Sequence, residues 1–305
     1  MYEGGKVSII GVGNLGSCIA YEVANRGLVK ELVLIDIVRD LAEGNAEDIS
    51  HAMAFKNNVY VYAGDYGDAE NSDIIIVTAG KPRTPEMKSR LDLLKVNKRI
   101  ISDVAQKIAG LRGEPIVITL TNPVDIMNYL MWKYIGFPRA RVIGSAGMLD
   151  SARFRHLLSR KYNVPVMDVE AYVIGEHGEY QVPLFSRVKF KGVSQRFTEG
   201  ERINIVEDLK QSALMVISKK GSTIYAPANN TANIVEAILR DEKSLCICSA
   251  ILDGEYGLKD ISIGVPVILG KSGVEKIAEW DMSEDEKKTF YSGAKRIRRE
   301  IEVIL

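Results

Sequence analysis

The sequence predicts an α/β protein, a doubly wound parallel sheet followed by an α+β half, on three observations. Short β-branched runs alternate with longer amphipathic ones through the first half. The first of these runs closes on a glycine loop that opens a helix. After about Val142 the alternation gives way to a less regular mixture. A chain of 305 residues suits two modest domains or one large one, and the change of rhythm divides it at 1–143 and 144–305.

Taken in order, Lys6 to Gly11, Glu31 to Asp36, Val59 to Ala63, Asp73 to Gly80 and Pro115 to Leu120 read as strands. They are rich in Val and Ile and mostly lack polar alternation, which suits strands covered on both faces. Helical patterns fill the gaps, at Leu15 to Arg26, Val38 to Ala54, Ser89 to Ala109 and Val124 to Trp132. Strand–helix–strand units of this length imply right-handed crossovers in a parallel sheet, the Rossmann arrangement. In the second half a helix from Leu149 to Lys161 precedes two β-like stretches, Val169 to Ile174 and Phe185 to Phe190. A long helical segment from Glu201 and another in ANNTANIVEAILR lead to β-like LCICSAIL and VPVILG. Ser-Glu-Asp-Glu from Ser283 is a capping box for a last helix running to Leu305.

Composition narrows the partners. Forty basic residues balance forty acidic ones, so no bulk charge draws the chain to nucleic acid or an anionic membrane. No apolar run approaches a membrane span and the N-terminus lacks a signal pattern. Cys18, Cys246 and Cys248 form neither a disulfide framework nor a metal motif, and read as buried thiols. A soluble cytoplasmic protein without a bound metal is expected.

IIGVGNLGS places Gly11, Gly13 and Gly16 in GxGxxG spacing, between the first strand and the first helix. Gly11 allows a tight turn, Gly13 the approach of a pyrophosphate, and Gly16 close packing of helix on sheet. The helix N-terminus then offers free N–H groups to phosphates. The second strand ends in Asp36, a carboxylate suited to both adenine-ribose hydroxyls and repulsive to a 2′-phosphate, which favours NAD over NADP. A glycine turn in another doubly wound protein, or a methyl-transfer cofactor, would fit the loop alone.

Chemistry-bearing residues follow. Arg83 and Arg90 lie in KPRTPEMKSRLDLL, a polar segment with Pro82 and Pro85 just after a strand, where a mobile lid or plain surface arginines are the readings. TNPVD puts Asn122 directly after another strand, in a sequence that is also an ordinary turn former. LDSARFRH puts Asp150 and Arg153 on one helix face, where an intrahelical ion pair is the plain alternative. His177, one of three histidines, stands in the polar turn VIGEHGEYQVP; His51 and His156 read as structural.

In this order and at these separations, GVGNLGS, Asp36, TAG, SRLDL, TNPVD, LDSARFR and IGEHGE resemble the lactate/malate dehydrogenase family over nearly the whole chain. Within it the pattern is most similar to the malate enzymes built on the lactate-dehydrogenase plan. The resemblance implies NAD as cofactor, His177 as general acid/base and Asp150 as its orienting partner. It implies that Arg153 clamps the substrate carboxylate through a bidentate fork, that Arg90 arrives with the lid to polarise the reacting carbonyl, and that Asn122 bonds the substrate oxygen beside the nicotinamide. Cofactor contacts are implied for Gly11, Gly13, Asn14, Leu15, Gly16, Asp36, Thr78, Ala79, Gly80, Asn97, Leu120, Thr121 and Asn122. Arg83 occupies the lid position where malate enzymes carry arginine and lactate enzymes glutamine, which points to a dicarboxylate, malate or oxaloacetate. Two features depart from the malate pattern. Glu86 stands where a glycine is usual, in a lid one residue longer than the family's, and Thr223 stands where malate enzymes often have alanine and lactate enzymes threonine. A homodimer or homotetramer is implied, with the helix starting near Val38 at a subunit contact.

Overall fold

The computed structural model describes residues 5–81 and 90–305. Its first half is built from β1 (Gly5–Ile10), α1 (Asn14–Asn25), β2 (Val29–Ile35), α2 (Arg39–Met53), β3 (Tyr60–Ala63), β4 (Ile74–Val77), α3 (Arg90–Ala109), β5 (Ile116–Thr119), α4 (Val124–Ile135) and β6 (Val142–Gly144). These strands pair in parallel in the order β3-β2-β1-β4-β5-β6. Val7, Ile9, Leu32, Leu34, Ile74, Ile76, Val117 and Ile118 are wholly buried, as expected of strands covered by helices on both faces.

The second half contains α5 (Gly147–Tyr162), β7 (Val169–Glu170), β8 (Val173–Gly175), β9 (Gln181–Pro183), β10 (Lys189–Phe190), β11 (Val193–Ser194), α6 (Glu199–Lys220), α7 (Tyr225–Leu239), β12 (Ser244–Asp253), β13 (Lys259–Gly270), β14 (Gly273–Ile277) and α8 (Glu284–Ile304). Its main strands continue the same sheet. Ser249 of β12 pairs antiparallel with Gly144 of β6, and the order runs on through β13, β8 and β9, with β14 beside β13. A Cβ at Gly144 would lie 2.7 Å from that of Ser249, so glycine lets the two strands meet. A small sheet, β11-β10-β7, covers a second core of Phe154, Leu158, Phe185, Phe197, Ile205 and Leu209.

The α/β class, the doubly wound order and the α+β character of the second half agree with the sequence reading. Differences are local. The strand expected over Asp73 to Gly80 ends at Val77, where the Thr78 and Ala79 N–H groups both donate to the Ile10 carbonyl, at 2.9 and 3.0 Å, and the regular ladder stops. The stretch expected as a strand from Phe185 is instead a 3-10 turn, Phe185–Arg187, before β10. Phe185 turns inward onto Phe154 and Phe197, with ring centroids 5.3 and 5.4 Å away. The Ser186 N–H and hydroxyl both donate to the Glu286 carboxylate of α8, at 3.0 and 2.7 Å, in place of a strand partner. Ser283 does cap α8 with Glu286 in a capping box, and Thr198 with Glu201 caps α6 in the same way. All three cysteines are free; burial pushes the Cys246 thiol up to about 11 and Cys248 well above its ordinary value, while Cys18 is half-buried. Among the described residues no helix is long and apolar enough to cross a membrane.

Candidate active site

The site lies at the carboxyl ends of the parallel strands, where β1 and β4 are neighbours and the winding of the sheet reverses. Gly11 leaves β1 with φ of +93°, and a Cβ there would lie 2.6 Å from the Ala79 nitrogen, so the turn demands glycine. A Cβ at Gly16 would fall 1.9 Å from the Gly11 carbonyl oxygen, which holds α1 tightly against the turn. Gly13 is different: its surroundings are open, it caps α1 with no side-chain hydrogen bond, and no acid occupies the first turn. With exposed Asn14 and half-buried Leu15, it leaves a helix N-terminus whose N–H groups can take a pyrophosphate.

Asp36 follows β2. One oxygen accepts the Val12 N–H at 2.8 Å and the other the Val38 N–H at 3.0 Å, so the backbone fixes the carboxylate while each oxygen keeps capacity for a hydroxyl. Ile37 beside it is fully exposed, an apolar surface adjoining the acid. Open helix end, fixed carboxylate and apolar neighbour fit a dinucleotide.

Across the crevice, Thr78 donates to the Gly11 carbonyl at 2.5 Å, Thr121 to the Ala79 carbonyl at 2.7 Å, and the Leu120 N–H to Val77 at 2.8 Å. Asn97 of α3 is buried. Its Oδ1 accepts the Lys81 N–H at 2.8 Å and its Nδ2 donates to the Asn122 carbonyl at 2.7 Å. The resemblance puts Asn97 on the cofactor; its amide here braces the strand ends that carry Gly80 and Asn122. Asn122 itself is exposed, ahead of a cis bond to Pro123.

His177 sits on the loop between β8 and β9. Its Nδ1 is 2.6 Å from Asp150 Oδ2, on the first turn of α5. Arg153, one turn on, donates from Nη1 to the other Asp150 oxygen at 3.2 Å and from Nη2 to the Thr223 hydroxyl at 3.3 Å. The intrahelical ion pair and the histidine contact therefore coexist on one carboxylate. Burial works to lower the His177 pKa, but Asp150 outweighs it and the imidazole is raised above its ordinary 6.5.

Sequence reasoning missed Asp125. This buried carboxylate of α4 accepts the His177 backbone N–H at 2.8 Å and the Ser249 hydroxyl at 2.6 Å. Burial raises it to about 6 despite those hydrogen bonds. The available signal was a lone charge in the apolar run PVDIMNYLMW. Arg83 lies outside the described residues; Arg90 opens α3, and its side chain lies outside them too. His51 is exposed and 2.9 Å from Glu47, and His156 is exposed on α5, so both are surface residues and not supports of the core.

Residues 5–144 match the lactate/malate dehydrogenase NAD binding domain, and residues 147–305 match the lactate/malate dehydrogenase alpha/beta C-terminal domain. The chain belongs to the lactate/malate dehydrogenase family. A malate dehydrogenase of Halobacterium salinarum is 41% identical over 302 residues, covering 98% of this chain and 99% of that one. L-lactate dehydrogenase 1 of Clostridium acetobutylicum is 39% identical over 313 residues, covering all of both. The ligand-bound minor L-lactate dehydrogenase of Enterococcus mundtii superposes with a TM-score of 0.95 at 34% identity, covering 99% of each chain. Members are NAD-dependent 2-hydroxy acid dehydrogenases, and so is this chain, with the glycine loop and Asp36 fitting that cofactor. Malate and lactate relatives are equally near, so similarity alone leaves the choice of acid to the site.

Proposed function

We propose that this family member is a malate dehydrogenase that interconverts (S)-malate and oxaloacetate, with His177 as general acid/base and the substrate held between Arg153 of residues 144–305 and Arg83, Arg90 and Asn122 of residues 1–143. The observation that carries the chemistry is the 2.6 Å contact of His177 Nδ1 with Asp150, whose second oxygen holds Arg153. NAD, when bound, accepts or supplies the hydride. In the reducing direction the carbonyl oxygen of the keto acid gains negative charge, and His177 delivers a proton to it from Nε2. Asp150 keeps the proton on Nδ1, aims the ring and stabilises the imidazolium before transfer. Arg153 grips the carboxylate next to the reacting carbon. Arg90 polarises the carbonyl, and Asn122 donates to the same oxygen. The Gly11–Gly16 turn, Asp36, the Thr78–Gly80 and Leu120–Asn122 strand ends, and Asn97 behind them form the cofactor's side.

Arg83 supports malate. Oxaloacetate carries a second carboxylate, and removing one partner of a buried ion pair costs roughly 3–5 kcal/mol, so a cation at the distal end selects strongly for it. Pyruvate would leave that cation unpaired. Thr223, touching Arg153, favours the second reading, an L-lactate dehydrogenase.

Oxidation of NADH with each keto acid tests both. Oxaloacetate is expected to exceed pyruvate in kcat/KM by about a hundredfold or more, and Arg83→Gln to cut oxaloacetate turnover by orders of magnitude while sparing or raising that on pyruvate. Equal losses on both would remove Arg83 as the selector, and a wild type faster on pyruvate would make it the lactate enzyme. We also infer a cytoplasmic homo-oligomer, a dimer or tetramer. Three free thiols support a reducing compartment, and Val38 and Leu41 at α2, with Phe55 just beyond, expose apolar side chains on the helix assigned to a subunit contact. Sedimentation velocity checks the assembly.

A further inference from the structure

His177 belongs to a five-residue loop, 176–180, between β8 and β9. Asp150 holds its ring and Asp125 its backbone. A third element, α8, meets the same loop. A Cβ at Gly293 would lie 3.1 Å from the Tyr180 Cβ and 3.2 Å from the Glu176 Cβ, so α8 is pressed directly onto the residues flanking His177. Phe290, one turn earlier on the same face, lies against Gly175, where φ is +87°.

Arg296 continues that face. Its Nη1 is 2.6 Å from Glu179 and its Nε 3.7 Å from the buried Glu176, whose other oxygen takes the Tyr180 N–H at 3.1 Å. Its guanidinium lies 5.5 Å from the Tyr180 ring centroid, and Glu300 of the same helix holds Nε at 3.2 Å. One side chain thus grips the residue before His177 and the second and third residues after it. Between those grips lies Gly178, which gives the loop little stiffness of its own.

We propose that Arg296 is a positioning residue for proton transfer, tying both flanks of the His177 loop to the C-terminal helix. This rests on His177 being the acid/base. Misplacing a reacting group by about 1 Å can cost on the order of a hundredfold in rate. An exposed ion pair would do little, but Glu176 is buried and Arg296 mostly so, which makes this grip more than surface decoration.

The test uses the full-length enzyme as wild type, Arg296→Gln, Arg296→Lys and His177→Asn. It measures kcat per NADH-binding site, keto-acid KM, NADH Kd, and the isotope effect with NADH deuterated at the transferred position. Arg296→Gln is expected to lose roughly ten- to a hundredfold in kcat per site, with a larger isotope effect and nearly unchanged KM and Kd. Lysine should restore most of the rate. A purely structural role would lower the number of NADH-binding sites and leave kcat per site and the isotope effect alone, and that result overturns the proposal. Should Arg296→Gln fail to fold, Glu179→Ala decides. It removes the 2.6 Å contact at an exposed residue, and an unchanged kcat and isotope effect would overturn the proposal equally. An active His177→Asn would sink the underlying acid/base reading; an inactive one beside an unaffected Arg296→Gln would sink this inference alone.

Discussion

The backbone N–H of His177 donates to Asp125 over 2.8 Å, and the Ser249 hydroxyl donates to the same carboxylate over 2.6 Å. One buried side chain of α4 thereby joins the His177 loop to β12. Asn128, one turn further along α4, adds bonds to the Ser249 carbonyl and the Ser262 hydroxyl at 3.2 and 3.0 Å. The network fixes His177 from the inside of the molecule, while burial, against those same hydrogen bonds, opposes the ionisation of Asp125.

That opposition has a sign. Burial raises Asp125 from 3.8 to about 6, so between those values the folded state holds a proton that the unfolded state has released. Its contribution to stability is therefore full below pH 3.8 and is lost as pH rises towards 6, by on the order of 3 kcal/mol. Asp125→Asn can still accept from His177 and donate to Ser249, and it does not titrate. The difference in unfolding free energy, wild type minus variant, should fall as pH rises from 4 to 6.5 and flatten above. Urea unfolding across that range measures it; a flat difference would show that Asp125 keeps an ordinary pKa.

His177 supplies the second prediction. Its raised pKa means that the imidazolium, the form in which the proposed mechanism has it reduce a keto acid, persists above pH 6.5. The kcat/KM for reduction should be level at low pH and fall about tenfold per unit above the folded pKa, while oxidation of the hydroxy acid rises to the same point. Among the raising contributions the Asp150 charge leads. Asp150→Asn should shift both limbs to lower pH and cut the rate by roughly 10²–10⁴, the range for a positioned acid/base group. Unmoved limbs in that variant would mean that another group titrates.

How much of this was legible beforehand differed by element. The parallel strands were, because a strand buried on both faces is a continuous apolar run, and Ile74–Val77 could be little else. The glycine turn was legible because Gly11 and Gly16 meet steric demands that only their residue type satisfies. His177, Asp150 and Arg153 stood out through a motif, and their contact depends on bringing residues 27 positions apart together. Asp125 and Arg296 were not legible. Each acts across more than fifty residues of sequence, on a partner chosen by sheet order and helix docking, and no local pattern encodes that. The 3-10 turn at Phe185 failed for the same reason, since Glu286 of α8 supplies its hydrogen bonds.

The proposed role of Asp36 in cofactor choice rests on a carboxylate that cannot swing away. Asp36 is pinned by the N–H groups of Val12 and Val38, so a 2′-phosphate must approach a fixed negative charge. Two unit charges 4 Å apart repel by about 4 kcal/mol at an effective dielectric of 20, which corresponds to two to three orders of magnitude in preference. NADH should bind at least about a hundredfold more tightly than NADPH. Asp36→Ser should narrow the gap from both sides, weakening NADH and strengthening NADPH. Fluorescence titration with both nucleotides measures it, and equal affinities in the wild type would show that Asp36 does not discriminate.

Thr223 tests the substrate side. Its hydroxyl accepts from Arg153 Nη2 at 3.3 Å, so it competes with a bound carboxylate for that nitrogen and adds bulk beside the guanidinium. Replacing it by alanine frees the donor and widens the pocket where a four-carbon diacid needs more room than pyruvate. One methylene's worth of pocket space is worth about 1–3 kcal/mol in discrimination. Thr223→Ala should therefore raise the oxaloacetate-to-pyruvate ratio of kcat/KM by roughly tenfold, chiefly through the keto-acid KM, with the pH limb of His177 unchanged because Asp150 is untouched. A lower ratio in the variant would instead place Thr223 among the groups that favour the diacid, and would leave Arg153 dependent on that hydroxyl for its orientation.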